Sequence, residues 1–284
     1  MSRNSKRVQA QQPPPEQSAV ADHAPPQDTS RRTANTEFVE LPSRGLFYPE
    51  GHALHNQEVV EIRYMTARDE DILTSPALLR KGLAVDKFIQ NILVNQDIKV
   101  SDLLIGDKSA IMIAARITGY GEEYETRVVC PECDTPNDHT FVLEDYTKYF
   151  TKFEQSENFE LTPQGTFKTV LPHSGYEVIV KLLTSADEAR IQKAQQMRQK
   201  NNLADSNTTD FLKSIIVSID GVSDPASLNL AILDLPARDS RFLRKNYTAL
   251  VPNVEMIESF ECMYCGTTTE MEVPLEAGFF WPDF

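Results

Sequence analysis

Two rhythms of apolar residues run along the chain, one alternating and one recurring every three to four positions, and together they mark out short strands and helices. Phe38-Val39-Glu40-Leu41 fits a strand that Pro42 ends, before Gly45 and Leu46-Phe47-Tyr48-Pro49 turn the chain. Phe47 and Tyr48 read as core anchors. Glu58 to Met65 alternates as a strand, and Thr66 with Asp69 and Glu70 then predicts a helix start, the hydroxyl capping free amides and the carboxylates meeting the positive helix end. Pro76 and Gly82 punctuate short helices. Val85, Phe88, Ile89, Ile92 and Leu93 share one helical face, and a further helix from about Asp107 to Ile117 carries Ile111, Met112, Ala115 and Ile117. Gly119-Tyr120-Gly121 closes it, and strands from Tyr124 to Val129 and from His139 to Leu143 follow.

The order of features then repeats. Thr166 to Leu171 and Tyr176 to Leu183 are strands around a turn at Pro172 to Gly175, and Thr184 with Asp187 starts a polar helix running to about Lys200. A loop spans Asn201 to Asn207. Asp210 to Ile219 places Phe211, Leu212, Ile215 and Ile216 on one helical face, and Pro236 opens a last helix to about Leu250 with Phe242, Leu243 and Tyr247 inward. A strand from Val254 to Glu261 closes the series. Local motifs match as well: Leu41-Pro42-Ser43-Arg44-Gly45 recurs as Leu171-Pro172-His173-Ser174-Gly175, and Thr66-Ala67-Arg68-Asp69-Glu70 as Thr184-Ser185-Ala186-Asp187-Glu188. The expected fold is α+β, an internally duplicated unit of β-hairpins and short helices.

All four cysteines lie in two pairs, Cys130-Pro131-Glu132-Cys133 and Cys262-Met263-Tyr264-Cys265, each between strand-like runs. Two such pairs make the closed four-sulfur set of structural zinc, so one Zn2+ shared by Cys130, Cys133, Cys262 and Cys265 is expected to join the two copies. The expectation is a zinc-ribbon-like pair of knuckles. Four buried free thiols are the alternative, since cysteine also packs as a small hydrophobe. Disulfides fit poorly with the polar opening residues, which read as no signal peptide and so as cytoplasmic, reducing synthesis. A redox site needs one pair at a helix start, and neither pair has that setting.

Residues 1–36, with Pro13-Pro14-Pro15 and Pro25-Pro26 among Gln, Ser and Ala, read as a disordered tail. The first copy is then 37–146, a charged and aromatic connection 147–165, the second copy 166–277 and an aromatic tail 278–284. Tyr146, Tyr149, Phe150 and Phe153 are expected to pack across both copies. Phe279, Phe280, Trp281 and Phe284 crowd the last six residues. Unless docked they form an exposed apolar patch, on the chain's own lobes or in a partner, and because termini fray the partner is the expectation.

The formal net charge is −14, and Arg3, Lys6, Arg7, Arg31 and Arg32 against Glu16, Asp22 and Asp28 make the tail positive, so the remainder is more acidic still. Such a body repels phosphate backbones, which argues against nucleic-acid binding, the common use of zinc ribbons. No apolar run reaches bilayer length. There is no phosphate loop, no Gly-x-Ser-x-Gly turn and no His-Glu-x-x-His helix, and four thiolates leave a metal no open position, so no catalytic residue is assigned. His52 and His55 read as solvated loop histidines, and His139 as a neighbour of the first knuckle. The Asp69-Glu70-Asp71 and Asp187-Glu188 carboxylates are explained as helix-start residues.

The string Leu41-Pro42-Ser43-Arg44-Gly45-Leu46-Phe47-Tyr48-Pro49, the strand Val59 to Met65, Thr66-Ala67-Arg68-Asp69-Glu70-Asp71-Ile72-Leu73 and the paired cysteines resemble the baseplate hub assembly proteins of T-even-type contractile-tailed bacteriophages. The resemblance covers residues 38 to 146 well and the second copy more loosely. It implies a non-enzymatic assembly factor or minor hub subunit, made in the host cytoplasm and in the virion tail if retained. Hub, spike or tape-measure proteins of a tail would be its partners. A zinc-ribbon nucleic-acid-binding regulator and a thiol redox enzyme are the competing readings.

Overall fold

The hairpin that opens the fold follows directly from its apolar alternation. In the computed structural model, which describes residues 35–151, 153, 157–201, 207–275 and 277–280, β1 (Thr36–Glu40) and β2 (Val59–Arg63) pair antiparallel with Val39 opposite Val60. Thr36 thus belongs to a strand, and the rest of the expected tail, apart from Asn35, lies outside the described residues. Phe47, Tyr48 and Leu54 of the intervening turn are buried, as the core-anchor reading required. Gly45 sits at φ +71°, and a side chain there would meet the backbone of Leu54 and Gln57, so the turn closes only around glycine.

Helix α1 (Ala67–Leu73) starts with the expected capping box of Thr66 and Asp69, and is followed by α2 (Pro76–Leu79) and α3 (Ala84–Ile92). Phe88, Ile89 and Ile92 point into the core, and Leu93 leaves the helix to bridge Ile62 of β2. Helix α4 (Ile105–Tyr120) buries Ala110, Ile111, Ile113, Ala114, Ala115 and Arg116. β3 (Glu123–Val129) and β4 (Pro136–Val142) then form a hairpin whose ends, Val129 and Pro136, flank the first cysteine pair.

After the connection, β5 (Glu160–Leu161), β6 (Phe167–Val170) and β7 (Glu177–Val180) lead into α5 (Ser185–Lys200) and α6 (Asn207–Ile215). The chain then enters β8 (Ile216–Ile219), which completes an antiparallel sheet of order β5-β6-β7-β8. This corrects the expected helix from Asp210 to Ile219. The second half of that segment satisfies its backbone against β7 instead, with Val178 opposite Ile219 and Val180 opposite Ile216. α7 (Pro225–Leu233), which apolar periodicity did not reveal, starts where the Asp224 side chain accepts from Ser227 N–H and Pro225 fills the first turn. α8 (Ala237–Tyr247) and the hairpin of β9 (Ile257–Glu261) and β10 (Thr268–Glu272) end the series, before a 3-10 turn at Ala277–Phe280.

The two halves touch in several places. Leu104 and Thr184 form an antiparallel bridge, with Ile105 N–H donating to Leu183 O and Ser185 N–H to Leu103 O. Phe153, from the connection, lies 5.2 Å from the Phe47 ring and 5.6 Å from the Phe167 ring, so it packs on both. Gly106 lets α4 run against the chain at Pro252, where an added Cβ would stand 2.1 Å from the carbonyl oxygen.

Candidate metal centre

Each cysteine pair sits in a tight turn built the same way. Cys130 N–H donates to Thr135 O and Asp134 N–H to Cys130 O; at the second turn Cys262 N–H donates to Thr267 O and Gly266 N–H to Cys262 O. Both turns need one residue in the left-handed region, Asp134 at φ +53° and Gly266 at φ +70°. Asp and Gly are among the residues that tolerate this conformation.

The hairpins face each other so that the four sulfurs lie within 4.8 Å of one another. Cys130 Sγ is 3.8 Å from Cys265 Sγ, and Cys133 Sγ is 3.7 Å from Cys262 Sγ, so sulfurs of one turn contact those of the other. Disulfide sulfurs would be about 2.0 Å apart. Four sulfurs placed tetrahedrally about 2.3 Å from one soft divalent ion would be about 3.8 Å apart, so the donor set and its spacing fit a metal. The cluster is therefore a possible metal site.

Its electrostatics point the same way for the second pair. Burial pushes the Cys262 thiol up, but the backbone amides of Cys265 and Tyr264 outweigh it and bring the pKa down to about 6. At Cys130 burial prevails and raises the thiol to about 11, although the amides of Glu132 and Cys133 oppose it. Amides directed at sulfur stabilise thiolate, the form that binds metal.

Contacts beyond the sulfurs hold the turns together. Asn137, buried on β4, accepts from Met263 N–H through Oδ1 at 3.0 Å and donates through Nδ2 to Thr135 O at 2.8 Å. Tyr124 Oη donates to Pro274 O. His139 stacks edge-on against Phe141 and Phe260, so it bridges the hairpins as a packing group. His52 stacks on Tyr48 and accepts from Leu54 N–H, while His55 bonds Tyr48 O, so each has a local role.

The aromatic end departs from expectation. Phe279 is 0% exposed and Phe280 1% exposed; their rings pack on Tyr124 and Phe88, and Arg116, itself buried, donates to Phe279 O at 3.0 Å. These two side chains complete the chain's own core, which corrects the expectation that they bind a partner. A terminal string of rings reveals its apolarity but not what covers it. Trp281 and Phe284 lie outside the described residues.

Motif reading missed the carboxylates Asp107 and Asp239, both fully buried at the third position of their helices. They are spaced in the sequence as Cys130 and Cys262 are, and that spacing was the available signal.

A family model described as T4 bacteriophage base plate protein matches residues 33–281. The chain belongs to that family. No curated protein and no solved structure matches it. A baseplate role, structural or in assembly, follows from that membership and implies contact with other tail or baseplate proteins. Among the described residues no helix is long and apolar enough to cross a membrane.

Proposed function

We propose that the chain is a non-enzymatic component of the baseplate hub, an assembly factor or minor subunit working through protein-protein contacts and stabilised by one structural Zn2+. Cys130, Cys133, Cys262 and Cys265 would hold the ion, which would supply cohesion and no chemistry, because four thiolates fill every position of a tetrahedral site. The reading rests on the sulfur contacts, 3.8 Å and 3.7 Å, between turns that the sequence separates widely.

The zinc would join two copies of one duplicated unit, residues 37–146 and 166–277, linked by 147–165. Several parallels support this. Leu93 after α3 bridges Ile62, as Ile216 after α6 pairs with Val180. Arg63 pairs with Asp69 as Lys181 pairs with Asp187. The partners would be hub, spike or tape-measure proteins of the tail, met in the host cytoplasm during assembly.

Two measurements test the proposal. Purified protein should carry one zinc per chain, and far less than one removes the metal from the reading. Mass spectrometry of purified particles beside assembly intermediates should find the chain in one or both, and absence from both rejects the hub role.

The nucleic-acid alternative has one observation in its favour. Arg238, Arg241, Arg244 and Lys245 line the exposed side of α8, and none is in an ion pair among the described residues. Salt-sensitive retention on DNA would support it, whereas the net charge of −14 predicts none.

A further inference from the structure

The two knuckles share a backbone but not a surface. Between its cysteines the first carries Pro131 and Glu132, and the second Met263 and Tyr264. Both close with the same pair of hydrogen bonds, cysteine amide to threonine carbonyl and fifth-residue amide to cysteine carbonyl. A proline and a glutamate suffice for that turn, so nothing in its geometry calls for large apolar side chains. Yet Met263 is 76% exposed and Tyr264 68%, the most exposed large hydrophobic residues among those described.

We propose that the Met263-Tyr264 tip docks into another tail protein, in an apolar pocket rimmed by lysine or arginine. This rests on the reading of the chain as a baseplate component that works through protein contacts, and it names the contact. The chemistry of the tip suits such a role. Tyrosine is over-represented among residues that dominate binding energy, and methionine adapts its shape to a pocket. The turn is also held in place before any partner arrives, by cysteines on both sides and by the bond from Met263 N–H to Asn137 Oδ1. A preordered tip loses little conformational entropy on docking.

Charge selects the rim. Glu132, Asp134 and Glu261 are exposed on the knuckles and the strand entering the second one. Arg127, exposed on β3, is already paired with Asp138 at 2.9 Å. The tip therefore stands in an acidic surround, and a cationic rim on the partner complements it.

The test uses the full chain in phage-infected cells. A Met263→Ser/Tyr264→Glu variant keeps the amide that Asn137 accepts from, and it should match the parent in zinc content and thermal unfolding. Loss of a dominant contact should weaken docking about thirtyfold or more and lower the yield of assembled baseplates correspondingly. A photo-crosslinking residue at position 264 should join the chain to a different tail protein, at a peptide containing lysine or arginine, and one at 132 should not. Wild-type yield from the variant, or crosslinks from 264 only to a second copy of this chain, overturns the proposal while the baseplate reading stands. Normal assembly with the whole chain absent overturns both.

Discussion

Asp107 and Asp239 hold the Leu-Pro turns of their respective halves from the same place, the third residue of a helix. Asp107 accepts from Ser43 N–H at 3.0 Å, Ser43 Oγ at 2.6 Å and Tyr48 Oη at 2.7 Å; Asp239 accepts from His173 and Ser174 N–H, both at 2.9 Å. Both carboxylates also face the positive end of their helix. The turn and the long helix, distant in sequence, are fixed together by one buried side chain in each half.

The donors differ, and so should the response to an uncharged replacement. Ser43 and Tyr48 hydroxyls can rotate to accept from an amide group, whereas the two backbone N–H groups at Asp239 can only donate. Asp239→Asn is expected to cost about 2 kcal/mol and Asp107→Asn about 1 kcal/mol or less. Urea unfolding of the two variants at neutral pH measures the difference, and equal losses would contradict this account.

The ion pairs at the helix starts predict an acid dependence. Burial alone would raise the Asp69 pKa, but the paired bonds from Arg63, with Thr66 and Asn91, outweigh it and bring it to about 2. A carboxylate depressed in the folded state stabilises above its unfolded pKa, near 4, and that contribution disappears as pH falls toward the folded value. The stability gap between the parent and Asp69→Asn should thus be constant above about pH 5 and shrink between about pH 4 and pH 2. Asp107 has the opposite sign: burial raises its pKa, so its contribution is greatest at low pH and is lost as pH rises through the raised value.

Metal removal gives a third outcome. If one ion is shared, Cys130→Ser and Cys262→Ser should each abolish stoichiometric zinc binding, because each leaves three sulfurs of a single site. Separate sites in the two knuckles would instead lose half. Chelation of the parent should lower its melting temperature without unfolding it at 25 °C. The Leu104-Thr184 bridge and Phe153 packing on Phe47 and Phe167 still join the halves. Metal analysis and circular dichroism of the chelated protein check both statements.

Close backbone packing adds a fourth. A methyl group at Gly106 would press on Pro252 O and Asn253 Cα, which are backbone atoms and cannot rotate away. Gly106→Ala should cost about 1–3 kcal/mol, although alanine is the better helix former. A denaturation midpoint equal to the parent's would mean that the halves do not meet there.

Much of this architecture was legible because short-range chemistry fixed it. Thr66 with Asp69 and Thr184 with Asp187 announced their helices, and both capping boxes formed. The cysteine spacing announced the four-sulfur cluster. What depended on distant partners was hidden. Ile216-Val217-Ser218-Ile219 continues an apolar helical face, and only the open edge of β7 turns it into a strand. Asp107 marked only the approximate start of a helix in the sequence, until folding brought Ser43 and Tyr48 to it. The terminal rings gave no indication of whether a partner or the chain itself would cover them.

Those rings supply the last prediction. Phe279 is enclosed by Tyr124, 5.0 Å between ring centroids, and Phe280, 5.4 Å, and its carbonyl accepts from the buried Arg116. Arg116 also donates to Gly121 O and Glu123 O, so its guanidinium ties the end of α4, the start of β3 and the C-terminal turn together. Phe279→Ala removes a fully buried ring and loosens that junction, and it should cost about 3–5 kcal/mol in the isolated protein with no partner present. Urea unfolding of purified Phe279→Ala reads this directly. A side chain that served a partner would leave the isolated chain's stability unchanged, whereas one that closes the core lowers it before any baseplate protein is added.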